Sequence, residues 1–381
     1  MTITITDQAL DVMRSELHRS WRVRGWNSTA TADAVWHFAM GVGDDNPLWW
    51  DPGYAASATG GRPFAPPAFL YSCEGAPVLP GLHEQVDRGV DTWLPGAVGL
   101  WAGDRWVFHG RTAIGEAVEA DAELWEVREM NGKFGGRSIY QTTKTTFTGA
   151  GGRALGEQYR TIFRTEPGAA SSGGRYSDLE RPVYTKADRE SLREQYLQEA
   201  SRRRGAQTRY VEDVQVGDVL PELLKGPLSV TTIVGWLLGW GSAYCLPDRI
   251  GETFMSHRPA SEIVHPVFGY ADTIEGPHWD NDLAQTRGLP RGYDFGSQRI
   301  SWFAHLLSDW YGDDGDLAEL DIRLRRPNLL GDLQRLSGVV TGTSVQAGTG
   351  RVTCEVSSRN QRDEVTAIGT AVVLLKSRNP S

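Results

Sequence analysis

The sequence predicts an α+β protein of two repeats, each an antiparallel sheet wrapped around a long central helix. Three observations carry this prediction. Each half runs through the same order of elements, alternating segments close each half, and one fixed offset brings a loop of the first half onto a loop of the second. At 381 residues the chain exceeds a usual single domain. The predicted division is 1–166 for the first repeat, 167–205 for a linker with a charged helix, and 206–381 for the second repeat, with an insertion at 245–277.

The elements follow in order. Thr29 and Thr31 can cap a helix over TADAVWHFAMG, where Val35, Phe38 and Ala39 share one face. In the second half Ser229 and Thr231 precede TTIVGWLLGW, so evenly apolar that complete burial is expected. A loop with Asp, Pro and Gly follows each helix. The segments EAVEADAELWEVRE, RSIYQTTKTTFTG and GEQYRTIFRT then alternate in the first half. DLQRLSGVVTGTSV, GRVTCEVSSRN and TAIGTAVVLLK do so in the second. Alternation bounded by Gly-rich turns reads as antiparallel strands. Between the halves, GAASSGG reads as a flexible linker and KADRESLREQYLQEASRRR as a solvated helix.

The repeat has a register. Trp50-Asp51 and Ala55 of the first loop match Trp279-Asp280 and Ala284 of the second at one offset (279 − 50 = 229; 284 − 55 = 229). The same offset sets Trp49 opposite His278, Asn46 opposite Glu275 and Asp44 opposite Thr273. The halves share a plan and differ where chemistry would sit.

Composition narrows the class. Fourteen Trp, 12 Tyr and 11 Phe can fill sizeable cores. The 48 acidic against 39 basic residues give a net charge of −9, which argues against nucleic acid or an anionic membrane as partner. No apolar run nears the roughly 20 residues of a membrane span, and the first residues lack the pattern of a signal peptide. Three scattered cysteines fit a reducing, cytoplasmic setting. Without CxxC or HExxH spacing, no metal is expected.

Residues GDDNPLWWDPGYA (Gly43 to Ala55) resemble the G-D-x-N-P-(I/L)-H-x-D loop of the MaoC-like hydratase/dehydratase family, which includes (R)-specific enoyl-CoA hydratases. RPFAPPAFLY resembles the next segment of divergent N-terminal repeats, RYVEDVQVGDVLP the family's usual opening, and HWDNDLAQTRGLPRGYDFG a second copy of the loop. The resemblance implies a double hot-dog fold and an acyl thioester substrate carried on coenzyme A or phosphopantetheine, with no other cofactor. It also implies a homodimer of such double units. In that family an Asp and a His, with a nearby Asn, hold the water that adds to or leaves the β-carbon. Such chemistry needs one group to accept a proton and another to donate one. A backbone N–H at a helix start polarises the thioester carbonyl, and by resemblance Gly296 supplies it.

Neither loop carries the full motif. The first keeps Asp44 and Asn46 but has Trp49 in place of the His; the second keeps His278 but has Thr273 and Glu275. His278 is therefore the expected proton-transfer group, with Asp272 or Glu275 as partner; the bland alternative makes both carboxylates solvated loop charges. Asp44 and Asn46 fit helix-end turn chemistry as well as substrate binding, and Trp49 fits a space-filling role. Asp294 and Arg299 flank the expected carbonyl site, where a surface turn is the other reading. His257 and His265 fall in the insertion, a lid or interface by its size. Arg202–Arg204 and Arg323, Arg325 and Arg326 are candidate phosphate contacts or ordinary solvated charges. The function expected is an acyl-thioester hydratase or dehydratase with one active site in the second half. The rivals are a non-catalytic acyl-binding or assembly partner and a thioesterase on the same fold.

Overall fold

The computed structural model describes residues 5–75, 94, 97–131, 137–166, 176, 179–242, 244–258 and 261–379. The Gly/Ser-rich start of the predicted linker, 167–175, lies outside them.

The first half contains α1 (Asp7–Ser15), β1 (Ser20–Val23), α2 (Ala32–Val42), α3 (Pro52–Ala58), β2 (Val98–Phe108), β3 (Glu119–Asn131), β4 (Arg137–Thr148) and β5 (Ala154–Thr165). A charged helix, α4 (Lys186–Arg202), leads to the second half. That half contains β6 (Val219–Lys225), α5 (Val230–Trp240), α6 (Asp248–His257), the short hairpin β7 (Glu262–Val264) and β8 (Ala271–Thr273), and α7 (Asn281–Thr286). Then come α8 (Gly296–Tyr311), β9 (Asp316–Leu324), β10 (Gln334–Gln346), β11 (Thr349–Arg359) and β12 (Val365–Lys376).

Ten strands form one sheet in the order β1-β3-β4-β5-β2-β9-β12-β11-β10-β6. The six strands predicted from alternation are β3, β4, β5, β10, β11 and β12, and β11 shows why they were readable: buried and open positions alternate along it. Strands β2 and β9 pair antiparallel, Gly103 with Arg323 through Val107 with Glu319, and so join the two halves into a continuous surface. A Cβ at Gly103 would lie 2.1 Å from the Ile322 carbonyl oxygen, so only glycine permits this approach.

The central helix differs from expectation. The apolar segment of α5 buries only Ile233, Trp236 and Gly239, while Val230, Val234 and Leu238 face outward. The buried axis of the second half is α8, where every position but Asp309 is buried. Helix α5 instead pairs with α2. The two share N-caps at Thr31 and Ser229 and C-caps at Gly43 and Gly241, both at an offset of 198 (229 − 31; 241 − 43). The loops that follow are offset by 229, so 31 extra residues (229 − 198) enter the second half between helix and loop; α6 and the β7–β8 hairpin fall there. The helix seam is made of glycine. A Cβ at Gly239 would lie 2.5 Å from the His37 carbonyl oxygen, and one at Gly41 2.9 Å from that of Gly235.

Candidate active site

The two matched loops fold alike. Pro47–Trp49 and Gly276–His278 are each a single 3-10 turn. Asp51 then caps α3 through Gly53 and Tyr54, as Asp280 caps α7 through Asp282 and Leu283. Asp and Pro dictate this locally: the carboxylate accepts the unpaired first-turn N–H groups. Trp49 and His278 thus stand at equivalent turn ends and point to different partners.

The His278 ring stacks on Phe295 with centroids 3.7 Å apart. Its Nδ1 lies 2.9 Å from the Tyr293 carbonyl oxygen. A carbonyl only accepts, so Nδ1 carries the hydrogen and Nε2 keeps its lone pair. Burial pushes the pKa down to about 4, against the backbone bonds at Tyr293 and Asp294, so the ring is neutral at physiological pH. His278 nonetheless keeps some accessible surface.

The expected carboxylate partners are elsewhere. Among the described residues neither Asp272 nor Glu275 hydrogen-bonds His278, because the turn aims their side chains away from the ring. Asp272 accepts the Thr273 N–H at 2.7 Å. Glu275 receives the Ser242 hydroxyl and lies 3.5 Å from Cys245 Sγ. Burial raises its pKa to about 7, although those two hydrogen bonds pull the other way. Neither carboxylate orients the histidine; a main-chain carbonyl does.

Gly296 opens α8 directly after Phe295, and no side chain caps this end. Trp101, from β2 of the first half, packs against it: a Cβ at 296 would come within 2.3 Å of Trp101 Cγ. The indole N–H of Trp101 donates to Asp104 at 2.6 Å, and Gln158 donates to the same carboxylate at 2.8 Å. Burial raises the Asp104 pKa to about 6. Asp294 and Arg299 are not a surface turn. Both are buried, and Arg299 Nε donates to Asp294 at 2.7 Å while Asn328 holds the same carboxylate. Their hydrogen bonds serve each other and the backbone at Arg326, which corrects the expectation of a substrate contact.

In the first loop, Trp49 Nε1 donates to Asp44 Oδ2 at 2.8 Å and the Asn46 N–H donates to Asp44 Oδ1 at 3.0 Å. Asn46 Oδ1 accepts from Leu48, so part of this motif does serve the turn. What the sequence did not reveal is the neighbour of Asp44. His305, on α8 of the other half, places Nε2 3.6 Å from Asp44 Oδ1 and 3.4 Å from Asp309 Oδ2. Lys225 Nζ lies 2.9 Å from His305 Nδ1 and donates to the carbonyls of Val42 and Gly43. The only available signal was a His and an Asp four residues apart in an apolar helix. In the linker's basic run, Arg203 ion-pairs with Asp45 and Asp309, so it is an internal tie and no phosphate contact. His265 is buried against Asp280, and His257 is exposed.

Residues 18–158 match the family described as FAS1-like, dehydratase domain region. A solved MaoC-like dehydratase superposes with a TM-score of 0.66 at 19% identity, covering 96% of this chain and 99% of its own. A MaoC-like dehydratase from Phytophthora capsici gives 0.55 at 11% identity over 97% and 99%. A conserved hypothetical protein of Mycobacterium tuberculosis, described as having a double hotdog fold, gives 0.56 at 14% identity over 94% and 96%. This chain is a double hotdog. No curated protein matches it by sequence.

Within the double hotdog, the dehydratase-region match falls on the half whose loop keeps Asp44 and Asn46. His278 lies outside that match, in the half built around α8. No described helix is long and apolar enough to cross a membrane.

Proposed function

We propose that this protein is a hydro-lyase that adds water to, or removes it from, the α,β-carbons of an acyl thioester. The observation that carries this reading is His278: its Nδ1–H is fixed on a carbonyl, which makes Nε2 the basic nitrogen, and its ring stacks on the residue before the start of α8. In hydration, His278 Nε2 takes a proton from water as the oxygen bonds to the β-carbon. The α-carbon takes back the proton that His278 removed from water, so the ring ends neutral as it began. The Gly296 N–H receives the charge that gathers on the thioester oxygen. Trp101 brings the first half to the same place as a wall. The substrate rides on coenzyme A or a phosphopantetheine arm, and unpaired Cys73, Cys245 and Cys354 suit a reducing compartment.

The test is hydration of crotonyl-CoA and longer enoyl-CoA esters by wild type and His278→Ala. The variant is expected to lose at least 100-fold in kcat/KM through this centre, in line with the usual worth of an acid–base group. An unimpaired rate removes His278 from the reaction. Turnover by neither protein favours a non-catalytic acyl-binding partner, and free thiol released from saturated acyl-CoA marks a thioesterase.

A further inference from the structure

We propose that Arg287 and Tyr293 form a subsite for a carboxylate on the acyl chain, so that the thioester brought to His278 is the monothioester of an unsaturated dicarboxylic acid. This rests on the hydro-lyase reading above and names the substrate class of that same site.

From Arg287 to Arg299 the chain carries three arginines, and two of them are tied. Arg291 donates to the main-chain carbonyls of Leu330, Leu179 and Glu180. Arg299 pairs with the buried Asp294. The guanidinium of Arg287, at the C-cap of α7, has neither a hydrogen bond nor an ion pair among the described residues. The last carbonyls of α7 offer it only a partial negative charge. Burial works against its charge, and the titratable group it faces is Tyr293, whose own burial pushes the phenol up to about 12 and keeps it neutral. The Tyr293 hydroxyl likewise has no hydrogen-bond partner among the described residues. The two carboxylates near it are engaged elsewhere, Asp294 by Arg299 and Glu275 by Ser242. A half-buried cation and a phenol O–H, both unfilled, call for one acceptor that carries negative charge.

Position assigns that acceptor to the acyl chain. The Tyr293 and His278 rings lie 4.4 Å apart, centroid to centroid, and the Tyr293 carbonyl holds His278 Nδ1. The loop is pressed onto the histidine: a Cβ at Gly292 would come within 2.5 Å of the His278 carbonyl oxygen, and Asn281 Oδ1 accepts the Gly292 N–H at 3.0 Å. His278, Arg287 and Tyr293 each keep some accessible surface, so a ligand can reach all three. An anion beside Tyr293 therefore lies about a ring's width from the proton-transfer group, the reach of a short acyl chain. The phosphates of coenzyme A are held off from the thioester by the whole pantetheine arm. A carboxylate also suits the donors, since it accepts two parallel guanidinium N–H bonds and keeps a lone pair for the phenol. Once seated, it fixes the β-carbon against His278, where a purely apolar chain is free to slide.

The experiment compares hydration of glutaconyl-CoA and crotonyl-CoA, and calorimetric binding of the saturated glutaryl-CoA and butyryl-CoA, by wild type, Arg287→Gln and Arg287→Lys, with circular dichroism to check folding. Wild type is expected to favour the carboxylated ester of each pair by about tenfold or more, the size of a charge-assisted hydrogen bond. Arg287→Gln should erase that preference, chiefly through KM, and Arg287→Lys should keep part of it. Tyr293→Phe, which leaves the main-chain carbonyl in place, should narrow it less and decides the matter if the arginine variants misfold. No preference in wild type overturns the subsite. So does an equal loss on both members of each pair in Arg287→Gln, which assigns the arginine to the phosphates of coenzyme A. Hydration of neither ester, with glutaryl-CoA still bound more tightly than butyryl-CoA, keeps the subsite and overturns the hydro-lyase reading; hydration of both without preference does the reverse.

Discussion

Glu275 and His278 share one turn, and burial shifts them in opposite senses. Glu275 titrates near 7, so between about pH 4.5 and 7 the native state holds a proton that the unfolded chain has released. Stability therefore falls as pH rises through that window. His278 titrates near 4, so below about pH 6.5 the unfolded chain takes up a proton that the native state refuses. Its contribution falls as pH drops, and the two slopes oppose each other over the shared range. Glu275→Gln removes only the first. The variant should gain on wild type by about 2.5 kcal/mol between pH 5 and pH 8. Urea midpoints at the two pH values check this, and an equal offset at both would show that Glu275 is not raised. The sequence marked the turn and His278 correctly as features of one register, yet it could not reveal the histidine's orienting group. That group is a backbone carbonyl, which every residue carries, so no side-chain pattern announces it. His305 was hidden for a related reason: its partners Asp44 and Lys225 lie 261 and 80 residues away.

At the scale of elements, half-buried strands were legible and buried helices were not. A strand such as β11 alternates because one face meets the core. Helix α8 is enclosed on all sides, so its Gln298, Arg299, Ser301, His305 and Ser308 interrupt the apolar pattern that a one-sided helix would show. Helix α5 misled in the opposite direction, being apolar on a face that stays open. Its burial is set by glycine: α5 meets α2 at Gly239, where any side chain strikes the His37 carbonyl. Gly239→Val should destabilise the protein by about 1–3 kcal/mol through overpacking, read as a lower denaturation midpoint. Val234→Ala, on the outer face of the same helix, should change it by less than about 0.5 kcal/mol. Equal effects would contradict the seam.

At the scale of the molecule, the halves share one core. Phe38, Phe69 and Trp106 of the first half and Trp236, Trp302 and Phe303 of the second belong to a single buried cluster. The β2–β9 pairing continues the sheet across the boundary, and Lys225 and Arg203 reach back to the first loop. Such contacts predict one cooperative transition by calorimetry, with the calorimetric and van't Hoff enthalpies equal. Two resolved transitions would mean the halves unfold separately. The duplicated plan was visible in the sequence; its fusion was not, since β2 and β9 sit at the joint without the clean alternation of their neighbours.

The bare contact between α2 and α5 has a mechanical consequence. Where peptide planes touch with no rotamers between them, the joint cannot slacken by side-chain repacking. The 31 residues that only the second repeat possesses follow α5 directly, so their starting point is set by that joint. His265 on Asp280 ties them at the other end to the turn cap two residues beyond His278, so the insertion is pinned at both ends.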